Sequence, residues 1–373
     1  MRNEKFLYRE IYQALKNQIE SGALAQGDRL PSEDDLAETY SVSKITIKRA
    51  MDMLKEERLI RRVQGKGTFV AELSAGDAPA PRASGGQKLI GLILEHVSTP
   101  FGLDMMYRIS RQLDERGYKL CIRFTYGSAE KEAEEISSLL ALGISGLIIM
   151  PCHDSYYSLS IMKLILESFP VVLVDKRMDG LPVNTVCTDG REAIRLLIHH
   201  LKERGCKNVA ALTIEPSSAT SLGDRMDGFR RGVEETGMTC AGEFILPRRT
   251  APIQPFDSDP VRSAEPEYQT AIGEVLDRLD SLPESFVCTE FAIARSLYAA
   301  ARARGLEVGR DFRACCIDEN CLAMGGFRFT HMRQDEIAIA DQAVEVLLGL
   351  LDGSCTGRND FRVPALFRMG STT

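Results

Sequence analysis

From residue 88 onward the chain alternates short apolar runs with amphipathic helical patterns, and this alternation constrains the fold more than any other feature. The apolar runs include LIGLILEHV at 89–97, GLIIMP at 146–151 and PVVLVDK at 170–176. Apolar runs of about 4 to 8 residues separated by helices of about 10 to 15 are typical of βαβ units, whose parallel sheets are covered on both faces. The pattern therefore predicts an α/β fold in which ligands bind at the carboxyl ends of the strands.

A segment of small residues divides the chain into two parts. SAGDAPAPRASGGQ, at 74–87, consists almost wholly of Ala, Gly, Ser and Pro and cannot bury a core. We therefore predict an N-terminal domain over 1–72, a flexible linker over 73–87 and a larger domain over 88–373. A second irregular stretch, 246–269, contains five prolines, and we interpret it as either a lid-like insertion or a partly disordered loop.

The two parts differ in charge. The whole chain of 373 residues has 46 Lys/Arg and 53 Asp/Glu, a net charge of −7. Residues 1–70 contain 13 Lys/Arg and 11 Asp/Glu, a net +2, which leaves 33 and 42, a net −9, for the rest of the chain. A polyanionic partner would therefore be bound locally, by the N-terminal domain.

The N-terminal domain has the pattern of three helices followed by a hairpin. Ser32 is a candidate N-cap for a helix whose acidic first turn the helix dipole favours, and we expect this acidic side to face away from nucleic acid. The third helix carries Lys44, Thr46 and Lys48 in its first two turns, and QGKG at 64–67 lies between two strand-like runs. A basic helix start and a basic hairpin tip fit the grooves of DNA, although each alone is more often a solvated surface.

The N-terminal motifs resemble the winged helix-turn-helix of the GntR family of bacterial transcription regulators: GDRLPSEDDLA, YSVSKITIKRAMDMLKEERLIRR and GKGTFV. The resemblance implies double-stranded operator DNA as a partner. It implies DNA contacts from three elements. The recognition helix contributes Ser43, Lys44, Thr46 and Lys48, the wing contributes Gln64, Gly65, Lys66 and Gly67, and the first helix contributes Lys5 and Tyr8. The chain departs from the family where Lys44 and Lys48 replace arginines, since lysine lacks the bidentate fork, and where Asp34 replaces an arginine.

The larger domain resembles the sugar-binding core of LacI/GalR regulators and periplasmic sugar-binding proteins. The matching motifs include LIGLILEHVSTPF, ISGLIIMP, PVVLVDKRMDGLPVNTVCTDG, GDRMDGFRRGVEETG, RACCIDEN and THMRQDEIAIADQAVEVLLGLLDG. Such a core has two lobes of parallel sheets flanked by helices, which we assign to 88–187 with 322–333 and to 188–321 with 334–373. A GntR-type domain joined to such a core is typical of the L-arabinose repressor group of Gram-positive bacteria.

The resemblance also implies where an effector binds. Sugars need planar hydrogen-bonding groups and an aromatic face, and matching positions at strand ends supply them: Phe101, Asp175, Lys176, Arg225, Thr289, Glu290, Asp318 and Gln334. Asp104, Tyr126 and His331 are weaker candidates near the same cleft. Thr289 and Glu290 stand where the family usually has Asn and Asp, so the contact from that loop is changed. A surface ion pair for Lys176 and Arg225, a helix cap for Asp318 and core packing for Phe101 are the structural alternatives.

These features predict a sugar-responsive transcriptional repressor that is not an enzyme and needs no cofactor or metal. Its effector would be a small neutral sugar, L-arabinose or a related one, whose binding releases operator DNA. The alternative is a sugar-processing enzyme with an accessory DNA-binding domain, but the sequence has no Walker loop, nucleophile elbow or metal-ligand cluster. The first twenty residues lack the apolar core of a signal peptide, so we expect a cytoplasmic protein without membrane contact. The resemblance to LacI/GalR regulators implies that it is a homodimer.

Overall fold

The computed structural model describes residues 11–12, 14–16, 18–19, 24–25, 27–40, 42–56, 59–63, 67–70, 88–97, 101–152, 158–178, 180–215, 221–247, 260–318, 327–355 and 357–373. The chain divides into two compact units, Met1–Ala83 and Ser84–Thr373, and the division falls within the predicted linker. Among the described residues, no helix is both long enough and apolar enough to span a membrane.

In the N-terminal unit, helical residues at 11–12, 14–16 and 18–19 precede α1 (Glu33–Thr39), α2 (Lys44–Glu56), β1 (Ile60–Val63) and β2 (Gly67–Val70). Ser32 caps α1 as predicted. Its Oγ accepts a hydrogen bond from the Asp35 N–H, and the Asp35 carboxylate accepts one from the Ser32 N–H at 3.1 Å. The apolar sides of these elements enclose one core that contains Ile11, Leu15, Leu30, Leu36, Ile47, Ala50, Leu54, Ile60 and Val70.

The larger unit has two lobes, each built on a sheet of six described strands. Lobe 1 contains β3 (Lys88–Leu94), α3 (Leu103–Glu115), β4 (Tyr118–Phe124), α4 (Ala129–Ala141), β5 (Gly146–Ile149), α5 (Leu159–Leu166), β6 (Val171–Val174) and β7 (Asn184–Thr188). Lobe 2 contains α6 (Gly190–Glu203), β8 (Asn208–Ile214), α7 (Ser221–Thr236), β9 (Thr239–Leu246), α8 (Pro260–Arg278), β10 (Ser285–Cys288), α9 (Phe291–Arg302), β11 (Arg313–Ile317) and β12 (Thr330–Arg333). The chain then adds α10 (Glu336–Asp352) and β13 (Asp360–Val363) to lobe 1 and β14 (Leu366–Arg368) to lobe 2.

The predicted α/β class is confirmed. The strand order is β13-β7-β6-β5-β3-β4 in lobe 1 and β14-β12-β11-β10-β8-β9 in lobe 2, and these strands run parallel except β14, which is antiparallel to β12. Every residue of β5, β6, β7 and β10 is buried, which explains why β5 and β6 read as continuous apolar runs. β7 is the exception, since its buried residues include Asn184, Thr185 and Thr188.

The chain crosses between the lobes three times: at Asp189, at Gln334–Asp335 and at Pro364–Ala365. The predicted division of the lobes is therefore wrong for β12, α10 and β13. β12 pairs with β11 in lobe 2, whereas β13 pairs with β7 in lobe 1, and Ile339 and Val344 of α10 share the lobe 1 core. The apolar pattern of α10 fits either sheet, so the sequence could not assign it.

The proline-rich stretch 246–269 is in part helical. α8 begins at Pro260, so an interpretation of the whole stretch as a lid or a loop is wrong for 260–269. Proline is tolerated in the first helical turn because the N–H groups there have no partner within the helix. Residues 248–259 lie outside the described residues.

Two glycines of α7 offer a test of how closely α6 and α7 pack. A Cβ at Gly228 would lie 2.1 Å from the backbone oxygen of Arg191 on α6. A Cβ at Gly223 would have no described atom within 4 Å outside its chain neighbours and the backbone of its own helix. Gly228→Ala should therefore force the helices apart and destabilise the chain by about 2 to 3 kcal/mol. Gly223→Ala should be neutral or stabilise by up to about 1 kcal/mol, because alanine favours the helix. Urea unfolding followed by circular dichroism measures both, and equal midpoints would contradict the proposed packing.

Candidate functional site

The start of α2 presents the predicted recognition surface. Ile47, Ala50 and Leu54 are buried in the core of the N-terminal unit, while Lys44 and Lys48 are exposed. The amphipathic pattern of the helix thus turns two of the predicted DNA contacts toward solvent.

Ser43 and Thr46 form the N-terminal cap of the same helix. Their hydroxyl oxygens lie 2.8 Å apart, and the Thr46 N–H donates to Ser43 Oγ at 3.3 Å. Ser43 therefore has a structural role beside the DNA contact predicted for it.

Asp34 lies against this basic surface, contrary to the expectation that the acidic side of α1 faces away. Its Oδ1 is 2.7 Å from Lys44 Nζ, and both side chains are largely exposed, at 67% and 70%. The hydrogen bond to Asp34 raises the pKa of Lys44. The acidic first turn of α1 and the basic first turn of α2 are therefore in contact.

β1 and β2 form the predicted hairpin, with Val63 opposite Gly67. Gly67 has a φ of +113°, and a Cβ there would lie 2.9 Å from Arg29 Nε. Glycine thus satisfies both the backbone conformation and the close approach of the Arg29 guanidinium. The remaining predicted DNA contacts, Lys5, Tyr8, Gln64, Gly65 and Lys66, lie outside the described residues.

In lobe 1, Lys176 and Glu95 form a buried ion pair at the carboxyl ends of β6 and β3. Lys176 Nζ also donates to the Pro151 carbonyl at 3.1 Å, just beyond β5. Three adjacent strand ends thus contribute to one polar cluster, as a covered parallel sheet leads us to expect. Glu95 is not among the residues predicted from sequence, and its place directly after an apolar run was the available signal.

In lobe 2, Arg225 of α7 is 7% exposed. Its Nη1 donates to the Thr289 carbonyl at 2.8 Å and lies 3.9 Å from Glu290 Oε1. Its Nε is buried without a hydrogen-bond partner among the described residues. The Thr289 hydroxyl instead donates to Thr213 Oγ1 at 3.1 Å within the lobe 2 core, so Thr289 reaches Arg225 only through its main chain.

Asp318 and Gln334 meet beside the second crossing between the lobes. Gln334 Nε2 donates to Asp318 Oδ2 at 2.9 Å, and Thr188 Oγ1 donates to Gln334 Oε1 at 2.6 Å. Thr188 ends β7 of lobe 1, whereas Asp318 follows β11 of lobe 2. The Gln334 amide therefore joins the two lobes.

The charged side chains of the two lobes act on one another. Burial raises the pKa of Asp175, Glu290 and Asp318, that of Asp318 to about 6, and Arg225 opposes the rise in each case. Asp175 belongs to lobe 1 and the other two to lobe 2, so the predicted residues converge around Arg225. In the part of the chain that the structure describes, no group of three or more His, Cys, Asp or Glu could hold a metal ion.

The other predicted residues differ in their surroundings. Phe101 packs against the lobe 1 core, and Tyr126 follows β4 with a φ of 53°. Asp104 forms an exposed ion pair with Arg333 at 2.9 Å. His331 is fully buried within β12, and its Nδ1 lies 2.9 Å from the Phe329 carbonyl oxygen. The structure therefore gives Phe101 a packing role against the lobe 1 core and places His331 inside β12, while Tyr126 lies beside the end of β3, where its N–H donates to the Glu95 carbonyl at 2.9 Å.

A pocket beside Arg225 contains charged residues that sequence reasoning missed. It is lined by Asp175, Arg177, Cys187, Thr188, Gly190, Ser221, Asp224, Arg225, Gln334 and Arg362. Asp224 of α7 is 6% exposed, and two arginines of lobe 1 approach it: Arg362 Nη1 at 2.7 Å and Arg177 Nη2 at 3.6 Å. These ion pairs bridge the lobes. Arg362 lies on β13, whose return to lobe 1 cannot be read from its local sequence.

Glu336, the first residue of α10, joins the second crossing to lobe 1. It is 5% exposed, and its Oε2 accepts hydrogen bonds from the N–H groups of Gly102 at 2.8 Å and Met105 at 3.0 Å. Gly102 is the N-cap of α3 and has no side chain with which to cap it. Glu336 therefore caps α3 from another helix and fixes the residue that follows Phe101.

Burial raises the pKa of Glu336 from 4.5 to about 7. The folded chain therefore binds the proton of the Glu336 carboxyl group more tightly than the unfolded chain does. The contribution of this proton to the free energy of unfolding is complete below the ordinary pKa of 4.5 and is lost as the pH rises through about 7. Glu336→Gln should reduce the loss of unfolding free energy between about pH 5 and pH 8 by up to about 3 kcal/mol. Urea unfolding across this range measures it, with the exposed Glu345→Gln on the same helix as control. Equal pH dependence in the wild type and in Glu336→Gln would contradict this role.

Two family models match the chain. The model of bacterial regulatory proteins of the gntR family matches residues 7–70. The model of periplasmic binding proteins and the sugar binding domain of the LacI family matches residues 87–315, more than half of the chain. Both resemblances predicted from sequence are thereby confirmed.

The curated relatives include two proteins named arabinose metabolism transcriptional repressor. The one from Geobacillus stearothermophilus is 25% identical over 353 residues, which cover 92% of this chain and 91% of that protein. The one from Halalkalibacterium halodurans is 21% identical over 349 residues, which cover 92% and 89%.

Solved structures show the same fold. Transcription regulator CcpA of Lactococcus lactis is 17% identical with a TM-score of 0.64, over 77% of this chain and 100% of that one. The lac repressor dimer bound to operator and the anti-inducer ONPF is 19% identical with a TM-score of 0.62, over 78% and 96%. The chain therefore belongs to the family of periplasmic binding proteins and LacI-type sugar-binding domains, and it carries a domain of the gntR family of bacterial regulatory proteins ahead of that core.

Proposed function

We propose that the chain is a sugar-responsive transcriptional repressor, which binds operator DNA through the winged helix and leaves it when a sugar enters the cleft between the lobes. The observation that carries this proposal is the pocket in which Asp175 of lobe 1, Arg225 of lobe 2 and Gln334 of the second crossing meet. Glu290 Oε1 lies 3.9 Å from Arg225 Nη1, and Gln334 Nε2 donates to Asp318 at 2.9 Å. Polar groups gathered between two sheets have little value for stability alone, which supports a role in ligand binding.

The balance of charge favours a neutral, hydroxyl-rich ligand. With the charged residues of the pocket included, five carboxylates, Glu95, Asp175, Asp224, Glu290 and Asp318, accompany four cations, Lys176, Arg177, Arg225 and Arg362. Carboxylates accept hydrogen bonds from hydroxyl groups, and the near balance of charge favours neither an anionic nor a cationic ligand.

Arg225 supplies a hydrogen-bond donor and Phe101 an aromatic face, neither of which a carboxylate can offer to a sugar. The buried Arg225 Nε is a donor without a partner among the described residues, and a ligand hydroxyl would satisfy it. Phe101, predicted to stack on the apolar face of the sugar ring, is held beside the α3 cap. Because two relatives are named for arabinose metabolism, we propose L-arabinose or a related sugar as the effector.

The cleft closes by rotation about the three crossings between the lobes, where a few backbone dihedrals absorb the movement. A sugar that contacts both lobes favours the closed arrangement by its differential affinity for it. In the proposed homodimer, closure changes the spacing of two winged helices, which must match half-sites about one helical turn or a multiple apart. Such a repressor acts in the cytoplasm, where operator DNA is found.

Calorimetry of the full chain against a panel of pentoses, hexoses and their phosphates tests the effector. One neutral sugar should bind, and Arg225→Lys should weaken it about 10- to 100-fold, because lysine cannot reproduce the guanidinium hydrogen bonds. Arg230→Lys, an exposed change on the same helix α7, is the matched control and should bind as the wild type does. Binding of a phosphosugar alone, or an unchanged affinity in Arg225→Lys, would contradict the proposed site.

DNA binding is tested with duplexes that the chain enriches from a random-sequence pool. Lys48→Gln should weaken the complex and lower the salt dependence of its binding constant by about one counterion, because one phosphate contact is lost. Lys55→Gln, in the last turn of the same helix, is the control and should have little effect. The absence of any sequence-preferring complex in mobility-shift assays would refute the repressor proposal.

A further inference from the structure

The second residue of α1, Asp34, has no part in the cap of its own helix. The capping box is completed by Ser32 and Asp35, whose carboxylate accepts from both the Ser32 N–H and the Ser32 hydroxyl. The Asp34 side chain instead reaches the next helix, where its Oδ1 lies 2.7 Å from Lys44 Nζ. The helix dipole favours an acid at this position, but it does not account for the contact with Lys44.

The partner of Asp34 stands at the start of the predicted recognition helix. Lys44 is the first residue of α2, and its side chain is 70% exposed. Lys48 is exposed one turn later, and no ion pair joins it to any acidic residue that the structure describes. The two lysines of one helix thus differ in charge environment, since one carries a bound carboxylate and the other does not.

We propose that Asp34 is a specificity-determining residue of the DNA-binding surface, which weakens binding to DNA of arbitrary sequence by holding Lys44 and by repelling phosphate. The inference rests on the proposed function as a DNA-binding repressor. It makes Asp34 a negative element in recognition, because specificity is a difference between two affinities and grows when the wrong complex is penalised.

Asp34 opposes the complex with DNA of arbitrary sequence more than it opposes the complex with operator DNA. An ammonium group has three donors, so Lys44 can keep its bond to Asp34 and still donate to a base edge that lies in the right place. On DNA of arbitrary sequence, the strongest acceptor in reach is a phosphate. To meet it, Lys44 must leave Asp34, and the carboxylate is then left unpaired beside a polyanion.

The ion pair between Asp34 and Lys44 is suited to tuning DNA specificity because it is weak. An exposed ion pair between flexible side chains is easily exchanged for another contact, so Asp34 restrains Lys44 without removing it from the surface. A buried pair would withdraw the lysine from DNA altogether.

The test compares Asp34→Asn with Glu38→Gln in the full chain. Glu38 is an exposed acid on the same helix α1, and no described ion pair joins it to Lys44. Each variant removes one carboxylate, so both change the net charge equally, but only Asp34→Asn removes the contact with Lys44. The probe is a pool of random-sequence duplexes of about 30 base pairs, which spans half-sites one helical turn apart. Fluorescence anisotropy over a salt series gives the affinity and its salt dependence.

Asp34→Asn should bind the random pool about five- to tenfold more tightly than the wild type, with a salt dependence steeper by about one counterion, because Lys44 then reaches a phosphate. Glu38→Gln should change the affinity by less than about twofold, since it acts only through the net charge. The ratio of affinities for a duplex selected by the wild type and for the pool should fall about five- to tenfold in Asp34→Asn.

A second substitution identifies the route of the effect. In a Lys44→Gln background, Asp34→Asn should gain clearly less than in the wild-type background and should not steepen the salt dependence, because no lysine is then released to a phosphate and only the repulsion by Asp34 is removed. An undiminished gain in that background, or an equal gain in Asp34→Asn and Glu38→Gln, would overturn the inference while leaving the repressor proposal intact. Failure of every variant to bind duplex DNA would instead overturn the proposed function and the inference together.

Discussion

A parallel sheet that is covered by helices on both faces confines polar side chains to its edges and its ends. This constraint shapes the larger unit, because β5, β6 and β10 are buried throughout and carry no charged residue. Lys176 and Glu95 follow β6 and β3, and Arg225 lies on α7; each is buried because it has a charged partner or a carbonyl to bind. The cleft chemistry is therefore a direct result of how the two cores are packed.

The sequence predicted local structure well because local structure depends on near neighbours. The cap at Ser32, the apolar strands and the helix at Gly190–Glu203 follow from residues within one or two turns of each other. Asp175, Arg225 and Gln334 line a common pocket, in agreement with the sequence motifs that pointed to them. Their roles as effector contacts stay predictions.

Pairings between distant parts of the chain could not be predicted in the same way. The lobe that receives α10 depends on which sheet has an uncovered face, and an apolar helix carries no mark of that choice. Arg362 reaches Asp224 across the lobes only because β13 pairs with β7. The contact between Asp34 and Lys44 likewise depends on how α1 and α2 pack, since a charge pattern gives the sign of a side chain and not its partner.

The three crossings have a consequence for how the chain becomes folded. Lobe 1 begins at Lys88, but its sheet and core are complete only when α10 and β13 have been added, after almost all of lobe 2 has been synthesised. On the ribosome, β3 to β7 must therefore wait with the part of one apolar face that α10 covers still exposed, while the second lobe emerges. The winged helix has no such delay, because its described core lies within residues 11–70. During synthesis, the part of the chain that recognises DNA is thus finished long before the part that governs its release.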